Sequence, residues 1–188
     1  MELEAVRHDA ITGIESWGRE HVGYAVGLEG TAAPGLVRIV AAFDGTDVDL
    51  EPPQRGIAGA TLDAGESVEL EVEGAFRLVA NEPILVVQTL GATEISWVVA
   101  PVDRHRRDYT IHLPEGALDA HALVIVRPRA TWTVIDEDAS GLVRAARVGE
   151  WEICVARVRA GTHRAIGERA FALIAVGRAG IAPYATLA

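Results

Sequence analysis

Lysine is absent from this sequence, cysteine and methionine occur once each, and aromatic residues make up 5% of its 188 positions. Without lysine there is no phosphate-binding Gly-x-x-x-x-Gly-Lys loop, and no Gly-x-Gly-x-x-Gly run opens a helix. One cysteine, Cys154, excludes an intramolecular disulfide framework and a cysteine-cluster zinc site, which leaves it the part of a small buried hydrophobe. No apolar run approaches the roughly 18 residues needed to cross a bilayer. The opening Met1-Glu2-Leu3-Glu4 is acidic where a signal peptide is basic, so membrane insertion is not expected and the compartment stays open. A net charge of −10 argues against nucleic acid, because counterion release requires clustered positive charge.

What the chain does have is apolar: 49% of its residues, enough to build a core in one compact unit or two small ones. All 17 basic residues are arginine, and they are unevenly placed. Residues 1–99 hold 17 acids and 5 arginines, whereas residues 100–188 hold 10 acids and 12 arginines. Period-two alternation dominates, as where Val68, Leu70 and Val72 interleave with Glu69, Glu71 and Glu73. Such a pattern buries one strand face and solvates the other. Short apolar runs follow at Val37–Phe43, Phe76–Ala80, Ile84–Leu90, Ile95–Ala100, Tyr109–Leu113, Leu123–Val126, Thr131–Ile135 and Phe171–Val176. Asp44-Gly45, Asp63-Ala64-Gly65 and Asn81-Glu82-Pro83 read as turns between them. Residues 142–160 carry some helical spacing, but Gly149 and the β-formers Trp151, Ile153, Val155 and Val158 favour strands. The expected fold is an all-β antiparallel β-sandwich.

The sequence also repeats itself with a period near 86 residues. Val37, Ile39 and Val48 match Leu123, Ile125 and Val134 at that spacing, and Glu82–Gly91 matches Glu168–Gly177. Gly23-Tyr24 matches Asp108-Tyr109 at 85, and Ala64-Gly65-Glu66 matches Ala160-Gly161-Thr162 at 96, which requires an insertion. Two similar tandem modules are expected, an acidic one over 1–99 and an arginine-richer one over 100–188, joined near Ala100-Pro101.

Ser16-Trp17-Gly18-Arg19-Glu20-His21 resembles the "WGxEY" opening of the N-terminal domain of IgG-Fc-binding proteins. Val40-Ala41-Ala42-Phe43-Asp44-Gly45-Thr46 resembles that family's "VVAxxDxT", Thr61 to Glu66 its "TLxAGE", and Asn81 to Gln88 its "SxKPVxVxQ". Pro101, Tyr109, Gly161-Thr162-His163, Val176-Gly177 and Pro183-Tyr184 are similar to its second half, so the likeness runs from Trp17 to Tyr184. The resemblance implies a noncatalytic binding or adhesion module at a cell surface or in a secreted protein, with a protein or glycan ligand. Two alternatives stand beside it: a self-assembling structural subunit, and a small signalling sandwich, since Asn81 to Gln88 is also similar to sensory rhodopsin transducers.

The reactive residues agree with a non-enzymatic reading. Ser16, Ser67, Ser96 and Ser140 sit in no Gly-x-Ser-x-Gly elbow, and no His-x-His or Glu-x-x-His spacing sets two metal ligands on one face. No cofactor is expected. The basic run Arg104, Arg106 and Arg107 at the junction is the candidate contact for an acidic partner, or for the acidic module of a second chain in a homo-oligomer. His112 and His121 flank the segment Leu113–Ala120 and are expected across a hairpin mouth. The four tryptophans, Trp17, Trp97, Trp132 and Trp151, read as core anchors.

Overall fold

The computed structural model describes residues 13–90, 93, 95–115, 120–179 and 182–187; the last residue of the Glu82–Gly91 match therefore lies outside the described residues. The first half contains β1 (Gly18–Tyr24), β2 (Gly35–Ala41), β3 (Thr46–Gln54), β4 (Ile57–Leu62), β5 (Ser67–Val72), β6 (Ala75–Thr89) and β7 (Ser96–Val98). The second contains β8 (Arg106–Leu113), β9 (Ala120–Pro128), β10 (Thr133–Ile135), β11 (Leu142–Val148), β12 (Trp151–Val158), β13 (Gly161–Ala179) and β14 (Ala182–Leu187). No α-helix occurs among the described residues, and residues 142–158 form a hairpin turned at Gly149-Glu150. The strand orders are β4-β3-β6-β2-β5, with β1 and β7 also on β6, and β10-β13-β9-β12-β11, with β8 and β14 also on β13.

Each half is an antiparallel sandwich whose layers are joined by one long strand. The first part of β6 pairs with β1 and β3 and the last part with β2 and β7, and Val37, Ile39, Leu70, Val72, Leu50 and Phe76 close the core between these layers. β13 works alike, with β8 and β10 on its first part and β9 and β14 on its last, over a core that includes Tyr109, Ile111, Leu123, Ile125 and Phe171. The expected turn at Asn81-Glu82-Pro83 is instead the middle of β6. Pro83 has no amide proton for a ladder, and it stands where β6 changes partners and no ladder is required. Asn81 accepts from the amide of Asp47 at 2.8 Å and donates to the Gly45 carbonyl at 3.1 Å, so it pins the neighbouring Asp44-Gly45 turn.

The ladders display the repeat. Val37 and Ile39 face Leu70 and Val68, and their partners 86 residues on, Leu123 and Ile125, face Ala156 and Cys154. Val48 faces Ala80, and Val134 faces Ile166. Two of the matches are corrected. Gly161 corresponds to Gly74, both left-handed (φ 128° and 68°) at the start of the long strand, while the Gly65 turn corresponds to Gly149-Glu150. Both turn types demand positive φ, so an Ala-Gly triplet recurs without structural equivalence. The Tyr24–Tyr109 match is not structural either: Tyr24 faces Ala75, the first residue of β6, and packs against the other half, whereas Tyr109 faces Ala165, the fifth residue of β13, in its own core.

A third core joins the halves. Val22, Tyr24 and Val26 from the β1 region, with Leu90 and Trp97, pack on Ala122, Val124, Val126, Trp151, Ile153, Ala172, Ile174 and Val176. β9 is thus buried on both faces, which is why Leu123–Val126 is an uninterrupted apolar run. Gly30 (φ 73°) rests on this sheet: a Cβ there would lie 2.6 Å from Ala122 Cβ and 2.7 Å from Val155 Cγ1. Gly30→Ala is expected to cost about 2 kcal/mol by overpacking and backbone strain, read from the urea midpoint. Cys154 is buried, and burial pushes its thiol up, in keeping with an inert core residue.

Candidate functional site

Beside the first sandwich, where the chain leaves it for the second, lies a cleft of about 360 Å³. Its walls come from Trp17 to Glu20 at the start of β1, from Pro83 in the middle of β6, and from Val102 and Asp103 in the short 3-10 turn before β8. Gly18 permits this convergence, because a Cβ there would lie 2.1 Å from Pro101 Cβ. On the rim, Arg19 donates to Glu82 at 2.8 Å, both side chains being exposed. Arg104 donates to the Glu15 carbonyl at 2.7 Å and fastens the 3-10 turn to the segment before Trp17.

Behind the cleft the polar groups span the junction. Glu20 accepts from Arg77 Nε at 2.8 Å and from Trp151 Nε1 at 3.3 Å, tying β1 and β6 to β12. His21 faces the Val99 carbonyl at 3.0 Å and the Gly18 carbonyl at 3.2 Å; burial lowers its pKa, against the opposing pull of those carbonyls and of Asp103. His105 stands edge-on to Trp151, ring centroids 5.5 Å apart. Burial first, and then the nearby His21, lower its pKa to about 4, although the Ala100 backbone, Glu20 and Asp103 oppose them. Both imidazoles are neutral in the folded protein at pH 7.

His105 is harder to protonate folded than unfolded, so the unfolded chain binds more protons as pH falls from 6.5 towards 4 and stability declines across that window. The decline from this residue is expected to reach about 3 kcal/mol. Thermal unfolding at pH 7 and pH 4.5 checks it, with His105→Gln expected to show a shallower loss.

Of the sequence-predicted binding residues, Arg104, Arg106 and Arg107 lie exposed along one stretch beside the cleft, with His105 turned inward between them. Arg106 and Arg107 already belong to β8, and Arg106 lies 5.7 Å from the Tyr109 ring centroid. The histidines are not brought together. His112 is exposed, hydrogen-bonded to Thr162 Oγ1 at 3.1 Å at the start of β13. His121 is 3% exposed and sits opposite Gly177 near the other end of β13, buried away from the surface. β8 and β9 both pair with β13 and not with each other, which removes the expected hairpin mouth. Trp97 and Trp151 are core anchors as expected, Trp17 is half-buried at the cleft, and Trp132 is exposed. The cleft itself was missed, although three of the motifs behind the family resemblance reach it or border it.

A duplicated antiparallel β-sandwich with a cleft at the junction, and no helix among the described residues long and apolar enough to cross a membrane, is the class of protein these features define. The model of the family described as IgGFc binding protein matches residues 6–177, nearly the whole chain, and the chain belongs to that family. No curated protein and no solved structure matches it. The family places the chain among protein-binding modules.

Proposed function

We propose that this chain is a non-enzymatic recognition module of a surface or secreted protein, taking its partner at the junction cleft between a first module, 1–99, and a second, 100–188. The observation that carries the reading is the composite wall: Trp17, Pro83 and Val102 supply an apolar floor from both modules, and Arg19 and Arg104 stand at its edge. Arg106 and Arg107 extend that edge along β8. An apolar floor that Arg19, Glu20 and Asp103 also line, with Arg104 beside it, suits a protein loop that presents an apolar side chain flanked by polar groups of both signs. The family's description makes immunoglobulin Fc the first partner to test, and glycans the second.

The test is interferometry of the chain over immobilised IgG Fc and a glycan array, with Trp17→Ala and Arg104→Glu alongside. Wild-type binding weakened at least about 10-fold by each variant supports the cleft, as expected of a central anchor and its flanking charge. Binding that survives both substitutions, or no wild-type binding to either class, contradicts the proposal.

A further inference from the structure

The two modules differ in where they put one strand. The common order β3-β6-β2-β5 and β10-β13-β9-β12 is extended by β4 beyond β3 in the first module, but by β11 beyond β12 in the second. β5, the counterpart of β12, is therefore left as a sheet edge. The 86-residue displacement holds to its end: Val40 faces Ser67 as Val126 faces Ile153, and Ala41 is hydrogen-bonded to Glu66 where Arg127 faces Glu152. Glu66 thus occupies the place of Glu152. In the second module Glu152 accepts from Arg147 of β11 at 3.2 Å and pairs with Arg144 of β11 at 3.5 Å. The carboxylate that holds β11 on β12 thus has its counterpart in Glu66, exposed just before β5, where it accepts from the Asp63 amide at 2.9 Å and no described strand lies beside it.

Charge identifies the occupant. Around β5 stand Asp63, Glu66, Glu69, Glu71 and Glu73, against which, among the described residues, Arg38 (on Glu69) and Arg55 (on Glu71) are paired. Around β11 the imbalance is reversed, because Arg127, Arg144 and Arg147 converge on Glu152 alone. β11 is itself a sheet edge, seven residues long against the six of β5, and its Val143 is 67% exposed. Pairing β5 with β5 sets glutamate against glutamate, and β11 with β11 sets arginine against arginine; only the mixed pair is complementary.

We propose that β5 of one chain takes up β11 of a second copy, antiparallel and in the manner of β11 on β12, with Arg144 and Arg147 of the incoming strand meeting Glu66. Each chain then offers one acceptor edge and one donor edge, a heterologous contact that extends into a ring or a filament. The site is separate from the cleft, so the fate of the recognition reading does not decide it.

Light scattering over a concentration series tests it, at about 10 mM salt, where exposed charges act over some 30 Å, and at about 1 M, where they are screened. The wild type is expected to rise above the 20.0 kDa monomer with concentration at low salt and to fall back at high salt. Glu66→Arg with Glu69→Arg breaks the acceptor, and Arg144→Gln with Arg147→Gln breaks the donor; circular dichroism confirms that each folds. Each variant alone is expected to stay monomeric. Their mixture is expected to stop at a 1:1 dimer, since one intact donor and one intact acceptor remain. A wild type that is monomeric throughout, variants that assemble as it does, or a mixture that stays monomeric each overturns the proposal.

Discussion

Trp151→Ala is expected to lower the unfolding free energy of the whole chain by about 4 kcal/mol, the cost of removing a large buried aromatic. Trp151 is 6% exposed in the core between the modules, and its indole donates to Glu20 of the first module while its ring meets His105 edge-on. Truncation opens a cavity in that shared core and leaves Glu20 with one donor fewer. Because the lost contacts belong to both sandwiches, hydrogen exchange is expected to accelerate in β1 as well as in β9 and β12. Acceleration confined to residues beyond 100 would contradict a shared core.

Glu152→Ala is expected to cost a similar 3–5 kcal/mol, by leaving a buried cation without its counterion. Arg127 and Glu152 are 15% and 10% exposed, 3.1 Å apart, and Arg147 approaches the same carboxylate. Burial alone would push the Glu152 carboxyl up, but the hydrogen bonds and charges of Arg127 and Arg147 outweigh it and hold it below the usual range. Without Glu152 those guanidinium groups face one another. Glu69→Ala, which breaks the exposed pair with Arg38, serves as the control and is expected to cost within about 1 kcal/mol. Equal urea midpoints for the two variants would show that the arginine cluster does not depend on Glu152.

Where one face of a strand meets water and the other a core, the pattern was legible. In β5, Leu70 and Val72 are buried and Glu69 and Glu71 exposed, as their alternation requires. The repeat was legible for the same reason where the face is kept: Val37 and Ile39 and their partners Leu123 and Ile125 fill equivalent inward positions, whereas Val48 lies in its core and Val134 is half-buried beside the inward Ile135. Features that depend on the neighbour across a gap were not. The outward residues of β9 are apolar because another module covers them, and nothing local names the cover. Pro83 passes for a turn residue because its neighbours do not show that β6 changes partners there.

The site was harder to read than the fold. Arg104, Arg106 and Arg107 stood out because they are adjacent in sequence, while Trp17, Pro83 and Val102 meet only after folding. His121 looked like a surface ligand, yet an imidazole on a strand with both faces covered is carried inside with its neighbours. The placement of β4 on β3 and β11 on β12 is a tertiary choice between two edges, and the two hairpin sequences carry no visible mark of it.

Two similar β-sandwiches share one core between them, built from Val22, Tyr24, Trp97, Val124, Trp151 and Ile174 among others. Scanning calorimetry of the whole chain at pH 7 tests this most directly. A single transition is expected, with calorimetric and van't Hoff enthalpies equal, that moves to lower temperature as one peak in Trp151→Ala. Two resolved transitions, of which Trp151→Ala shifts only the one belonging to the second module, would contradict it.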